Sequence, residues 1–175
     1  MRLFIAINLN DETKNALIAL RDELRSRAER GGFSHQENLH LTLAFLGECS
    51  AKQADFAATV MDSINFEPFD MLVERVGRFG RGSEAVWWAG IRESNPLIEL
   101  QRSLTGGLAA AGFALDTKKF SPHITLGRRV VTDCDPWRIE AFGETVRKID
   151  LMKSERIDGE LTYTMIYTKH SRTGR

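Results

Sequence analysis

Two segments of this chain share one alternation, and together they restrict the fold more than any other feature. The first is Asn38-Leu39-His40-Leu41-Thr42-Leu43-Ala44-Phe45-Leu46-Gly47, and the second is Ser121-Pro122-His123-Ile124-Thr125-Leu126-Gly127-Arg128. Each reads histidine, aliphatic, threonine, leucine. In an extended strand, alternate side chains share a face. His40 and Thr42 therefore point one way and Leu41 and Leu43 the other, and His123 and Thr125 repeat the arrangement. A strand that hides its aliphatic residues and presents an imidazole beside a hydroxyl needs a core on one side and open space on the other.

The surroundings of the two segments also repeat. Leu3, in an apolar β-rich run over Leu3 to Leu9, precedes His40 by 37 residues; Val86, in the run Ala85 to Ile91, precedes His123 by the same 37. A helix is predicted between strand and motif in both cases. The first starts at Asn10 or Asp11, carries Leu17, Leu20 and Leu24 inward and ends at Gly31-Gly32; the second starts at Asn95-Pro96, with Asn95 as cap, carries Leu97, Leu100, Leu104 and Leu108 inward and stops at Gly112. A further helix, Ala51 to Ile64, is capped by Ser50 and aligns Phe56, Val60 and Ile64. Further strands are expected at Phe66 to Val76, Glu144 to Lys153 and Leu161 to Thr168, with turns or polar loops at Gly77 to Gly82 and Thr132 to Asp135. The expected architecture is α+β: one bilobal domain over residues 1–175, a pseudo-two-fold duplication with two antiparallel sheets lining a central cleft and helices outside.

Composition bounds the function. The 24 basic and 24 acidic residues cancel, which argues against a non-specific nucleic-acid coat but leaves room for a local phosphate pocket. Cys49 and Cys134 lack CxxC spacing and read as reduced thiols. The apolar start is too short for a signal-peptide core, and no run is long enough to span a membrane, so a cytoplasmic protein is expected. Four prolines and a continuous core pattern are compatible with a monomer.

A lone histidine on an apolar strand is commonly a hydrogen-bonded core residue. Two, each followed by threonine in matched register, point to a shared site. Imidazoles with ordinary proton affinity near ~6.5 can be held one neutral and one protonated at physiological pH. Such a pair suits displacement at phosphorus, with a base for the nucleophile and an acid for the departing oxygen, while threonine hydroxyls hold the non-bridging oxygens. Neither metal nor cofactor is needed for that division of labour. A metal centre would want a third or fourth close ligand, and none stands beside His40 or His123; His35, His170, Cys49 and Cys134 fall in predicted loops, tail or polar segments. GxSxG, P-loop and dinucleotide-binding glycine patterns are absent.

The paired motifs resemble the signature of the two-histidine phosphoesterase superfamily. The chain is most similar to its RNA 2',3'-cyclic phosphodiesterase branch, historically called 2'-5' RNA ligases. The resemblance runs through Arg2 to Ile7, Asn38 to Gly47, Val86 to Gly90, Ser121 to Arg128, and Leu151 to Ser154 followed by Leu161 to Tyr163. It implies hydrolysis of RNA 2',3'-cyclic phosphate ends to 2'-phosphomonoesters, with reverse 2'-5' ligation as a side activity. It implies His40 as proton donor to the leaving 3' oxygen, His123 as proton acceptor from water, and Thr42 and Thr125 as phosphate ligands. The sequence allows the acid and base labels to be exchanged.

Arg128 matches a family arginine that resembles a phosphate contact, but strict alternation turns it away from His123, so a bulge or strand end near Gly127 is required. Phe45 and Trp88 are candidates for stacking on an RNA base, and Arg78, Arg81, Lys118 and Lys119 for following its backbone. Two readings compete: the same chemistry on small cyclic nucleotides, ADP-ribose cyclic phosphate or 2'-5' oligonucleotides, and a non-catalytic RNA-end binding module.

Overall fold

The computed structural model describes residues 1–80 and 82–173. Local chemistry starts each helix. Asn10 caps α1 (Asp11–Ser26) by accepting from the Thr13 amide at 2.8 Å, and Asp11 and Glu12 complement the positive end of the helix. Leu17, Leu20 and Leu24 are buried as their spacing predicts. Ser50 and Gln53 form a reciprocal capping box on α2 (Ala51–Ser63). Ser94, not Asn95, caps α3 (Asn95–Ala110), which moves Pro96 one place within the first turn, and all four predicted leucines are buried.

The helix ends and strand bounds required correction. α1 stops at Ser26, and Gly31 and Gly32 lie inside a strand, β2 (Ala28–Phe33), that pairs with β6 (His123–Thr132). The expected inward stripe of α2 holds in part: Ile64 is buried and Val60 packs on the core, with Ala57 and Met61 buried beside them, whereas Phe56 is 46% exposed under the Lys52 ammonium. α2 lies close against α3, where a Cβ on Gly107 would come within 2.9 Å of Val60 Cγ1. β4 (Phe69–Phe79) runs through the expected turn at Gly77, and the expected strand from Glu144 to Lys153 is the end of β7 (Trp137–Val146) and the start of β8 (Lys148–Ile157). β1 (Arg2–Asn8), β3 (His40–Glu48), β5 (Ala85–Ile91) and β9 (Glu160–His170) fall close to their expected positions.

The strands form one antiparallel sheet in the order β7-β4-β5-β6-β3-β1-β8-β9, with β2 added along β6. The two sheets expected from the duplication are therefore continuous, joined where β3 meets β6 at the single pair Leu41–Ile124. The two motif strands stand side by side at the centre, each flanked by the strand that precedes it by 37 residues. Leu41 and Ile124 are fully buried and belong to one large core with the inward leucines of α1 and α3. A separate small cluster of Phe4, Ala6 and Met152, with Tyr163 against it, lies outside that core. No helix of the described residues is long and apolar enough to cross a membrane.

Candidate active site

Pairing of Leu41 with Ile124 decides the geometry. Directly opposed residues of an antiparallel pair share a face, so the neighbouring His40, Thr42, His123 and Thr125 all project from the face opposite the core. The sheet itself converges the two motifs.

Each imidazole is clamped in the same way. His40 Nδ1 lies 2.7 Å from the Asn38 carbonyl oxygen and His123 Nδ1 lies 2.6 Å from that of Ser121, both two residues back. A carbonyl oxygen only accepts, so Nδ1 carries the proton in both rings and, when the ring is neutral, Nε2 is a bare lone pair. His40 Nε2 is 2.9 Å from Thr42 Oγ1, which donates to the neutral ring and accepts from the charged one. Aromatic walls fix the rings. Phe4 and Tyr163 stand 4.9 and 5.1 Å from His40, and Phe79 and Trp88 stand 4.9 and 6.2 Å from His123.

Both histidines hold protons less tightly than a free imidazole. Burial is the main cause at His40, followed, against the opposing Asn38 hydrogen bond, by Arg128, His123 and Lys14. At His123 burial again leads, opposed by the Ser121 hydrogen bond, with Arg128 adding to it. Burial also raises the Tyr163 phenol, against Arg128 and Arg2. Arg128 thus stands near enough to act on both imidazoles and on Tyr163.

Arg128 reaches this position through the irregularity its sequence required. On β6, Thr125 pairs with Trp88 and Gly127 with Trp87, leaving Leu126 as an extra residue. On β3, Thr42 pairs with Ala6 and Ala44 with Ile5, leaving Leu43 as the extra residue. Each is a bulge one residue past the threonine, and each turns two successive residues into the core. The next side chain, Phe45 in β3 and Arg128 in β6, then emerges exposed. Phe45, 61% exposed, lies 6.1 Å from Phe4, the ring that packs on His40. The two motifs therefore extend to His-x-Thr-x-x-Phe and His-x-Thr-x-x-Arg, with a ring and a cation at equivalent places.

A search of protein-family models matches residues 9–156 to the 2'-5' RNA ligase superfamily. The chain belongs to that superfamily. An RNA 2',3'-cyclic phosphodiesterase of Archaeoglobus fulgidus is 33% identical over 162 residues, covering 88% of this chain and 91% of that protein. Another, from Geobacillus stearothermophilus, is 32% identical over 129 residues, 72% of this chain but only 41% of that protein's length. The crystal structure of Escherichia coli LigT in apo form superposes with a TM-score of 0.85 at 29% identity over 98% of both chains, and LigT has also been crystallised with 3'-AMP.

Within this superfamily member, Trp88 is half-buried; its indole lies over Gly77 and Gly90, 5.1 Å from Phe79 and 5.7 Å from the Arg75 guanidinium. Arg78 is exposed on β4 and Lys118 and Lys119 are exposed between α3 and β6, while Arg81 lies outside the described residues. Sequence reasoning missed Phe4, Phe79 and Tyr163 as walls of the site. They lie on β1, β4 and β9, and only the strand pairing brings them to the histidines.

Proposed function

We infer that this protein hydrolyses RNA ends carrying a 2',3'-cyclic phosphate, as its relatives' names describe. The matched Nδ1–carbonyl clamps carry the reading, because they leave both Nε2 atoms on one face as the groups that exchange protons. His123 Nε2 takes a proton from water as its oxygen attacks phosphorus. The P–O3' bond breaks, and His40 Nε2 delivers its proton to O3', leaving a 2'-phosphomonoester. His40 must start protonated, which burial and Arg128 oppose; the substrate's own phosphate, an anion beside the ring, favours the charged form. Thr42, Thr125 and Arg128 hold the non-bridging oxygens, with Arg128 countering the charge that grows on them in the transition state. Phe45 offers an open ring to the base, and Trp88 backs the His123 side through Phe79. No step needs a metal. Running the same exchange in the same direction, with a 5'-hydroxyl in place of water, forms P–O5' as P–O3' breaks and joins two ends by a 2'-5' bond.

A panel of cyclic phosphates with product identification is the test. Release of 2'-phosphate from a 2',3'-cyclic end is expected, with loss of roughly 10²–10⁴-fold in His40→Ala and His123→Ala. A product bearing only 3'-phosphate would overturn the assigned leaving group, and full activity in either variant would overturn the site. An RNA-end binding module would bind without turnover, and preference for a small cyclic nucleotide or ADP-ribose cyclic phosphate would show in the same panel.

A further inference from the structure

The pairing that builds the site also carries its face outward from His40. On β1, Asn8 pairs with His40. Ala6 of the same strand pairs with Asp150 of β8, so the register continued by two pairs brings Asn8 opposite Lys148. Lys148 in turn pairs with His170 of β9. Four neighbouring strands thus present His40, Asn8, Lys148 and His170 as one row, running across the sheet from the site to its edge.

Contacts with Asp150 place Asn8, Lys148 and Thr168 on one face, and pairing carries that face to His40 and His170. Asn8 Nδ2 donates to Asp150 Oδ2 at 2.8 Å, Thr168 Oγ1 donates to Asp150 Oδ1 at 2.6 Å, and Lys148 Nζ lies 3.6 Å from Asp150 Oδ2. Asp150 is fully buried beneath the row, and these three groups occupy its oxygens. Above it, Lys148 and His170 are exposed. Past His170 the row opens on a surface concavity of about 330 Å³ lined by Arg147, Ser171, Arg172 and Thr173. At the other end Lys14, half-buried in the first turns of α1, has no carboxylate within salt-bridge distance among the described residues. Its charge is felt at His40.

Direction follows from the chemistry. In-line displacement puts water on the His123 side of phosphorus and O3' on the His40 side, so the ribose and the chain attached to its 5' carbon lie beyond His40. That is the side of the row. With strands about 4.8 Å apart, Lys148 lies roughly 10 Å and His170 roughly 14 Å from His40, which an RNA chain crosses in its first few nucleotides.

We propose that Lys148 and His170, flanked by Lys14 and Arg147, form a backbone-binding track for the phosphodiesters just upstream of a cyclic-phosphate end. The track rests on the assigned roles of His40 and His123, and it makes a single-stranded oligoribonucleotide, not a mononucleotide, the substrate class the protein is built for. A point cation on a flexible stem suits it, since the track must follow phosphates without reading sequence.

The test compares a nucleoside 2',3'-cyclic phosphate with di-, tri- and tetranucleotides ending in the same group. In the wild-type protein kcat/KM should rise with length and fall steeply with salt. His170→Gln combined with Arg147→Gln, both at exposed positions, should cut the tetranucleotide-to-mononucleotide ratio about tenfold and flatten the salt dependence by about 0.7 in log–log slope per lost phosphate contact. Lys148→Gln should act in the same direction, with its melting temperature checked because it faces Asp150. Equal kcat/KM at all lengths in the wild type, or variants that lose mono- and tetranucleotide turnover in equal proportion, overturns the track. Loss confined to the joining of an added 5'-hydroxyl oligonucleotide overturns its direction. Absence of turnover for every cyclic phosphate, mononucleotide included, refutes the hydrolytic function instead.

Discussion

Gly77 has an ordinary backbone conformation, so its lack of a side chain reflects space alone. It pairs with Trp88 across β4 and β5, and a Cβ built on it would lie 2.8 Å from Trp88 Cζ2 and Cζ3 and closer still to Cη2. Carbon atoms settle at about 3.5 Å or more. Gly77→Ala must therefore drive the indole back by roughly 0.7–1 Å. Neighbours stand on the sides toward β5 and the site. A Cβ on Gly90 would sit 2.8 Å from its Cζ3, Phe79 packs at 5.1 Å, and His123 lies at 6.2 Å. Part of the displacement passes to His123, the ring assigned to activate water.

Overpacking of this kind costs about 1–3 kcal/mol, or roughly 2–12 °C of Tm for a chain of this size. A displacement near 1 Å at a reacting group lowers turnover by up to about 10²-fold. The assay is thermal unfolding beside kcat/KM for a nucleoside 2',3'-cyclic phosphate, run as a double-mutant cycle with Trp88→Leu. In the Trp88→Leu background the added methyl meets no indole, and Gly77→Ala should cost almost nothing further. The reasoning fails if Gly77→Ala leaves both Tm and activity unchanged, or if its cost is the same with and without the indole.

Five further outcomes follow. The free-enzyme profile, kcat/KM against pH, needs His123 neutral and His40 protonated; both are depressed, so its alkaline limb should fall below the unperturbed 6.5. Arg128→Gln removes a depressing charge from both rings, so both limbs should move to higher pH while the maximum drops; a profile that keeps its position would contradict that placement of Arg128. Thr42→Val deletes the hydroxyl at 2.9 Å from His40 Nε2 and should lower kcat/KM by roughly 10- to 150-fold, as one charge-assisted hydrogen bond of about 1.5–3 kcal/mol predicts; recovery by Thr42→Ser separates hydroxyl from packing. Asp150→Ala strands Asn8, Thr168 and Lys148 and should cost about 2–3 kcal/mol, read as a Tm loss of roughly 4–12 °C. Turnover should survive dialysis against chelator, and loss restored only by an added divalent cation would refute the His–His division of labour.

The histidines and threonines were legible because a period of two is a local property, visible in any strand. The α3 leucines were legible for the matching reason at a period near 3.6. What was lost depended on partners. Phe45 was a stacking candidate by residue type, but strict alternation puts it on the core face of β3, and only the extra residue Leu43, seen through pairing with β1, restores it to the histidine face. β2, Ala28–Phe33, carries two glycines and few strand formers; it exists because β6 offers it an edge. On α2, both Phe56/Val60 and Ala57/Met61 satisfy a four-residue spacing, so spacing alone did not show that Ala57 and Met61 are the fully buried pair and that Phe56 is exposed.

The bulges also show how a duplicated fold supports chemistry that cannot be symmetrical. An acid and a base must differ, yet the repeat supplies two equal strands, two equal carbonyl clamps and two equal bulges. The differences enter where the repeat permits them without disturbing the core. One is at the ring nitrogen: His40 Nε2 is engaged by Thr42, whereas the described residues give His123 Nε2 no hydrogen-bond partner. The other is the side chain that each bulge lifts out, a phenyl ring beside His40 and a guanidinium beside His123. Exchanging those two residues alters no buried side chain. A Phe45→Arg, Arg128→Phe double variant should therefore keep its Tm while the cation moves to the leaving-group side. If hydrolysis in that variant equals the wild type, the asymmetry of the site resides in the threonines alone.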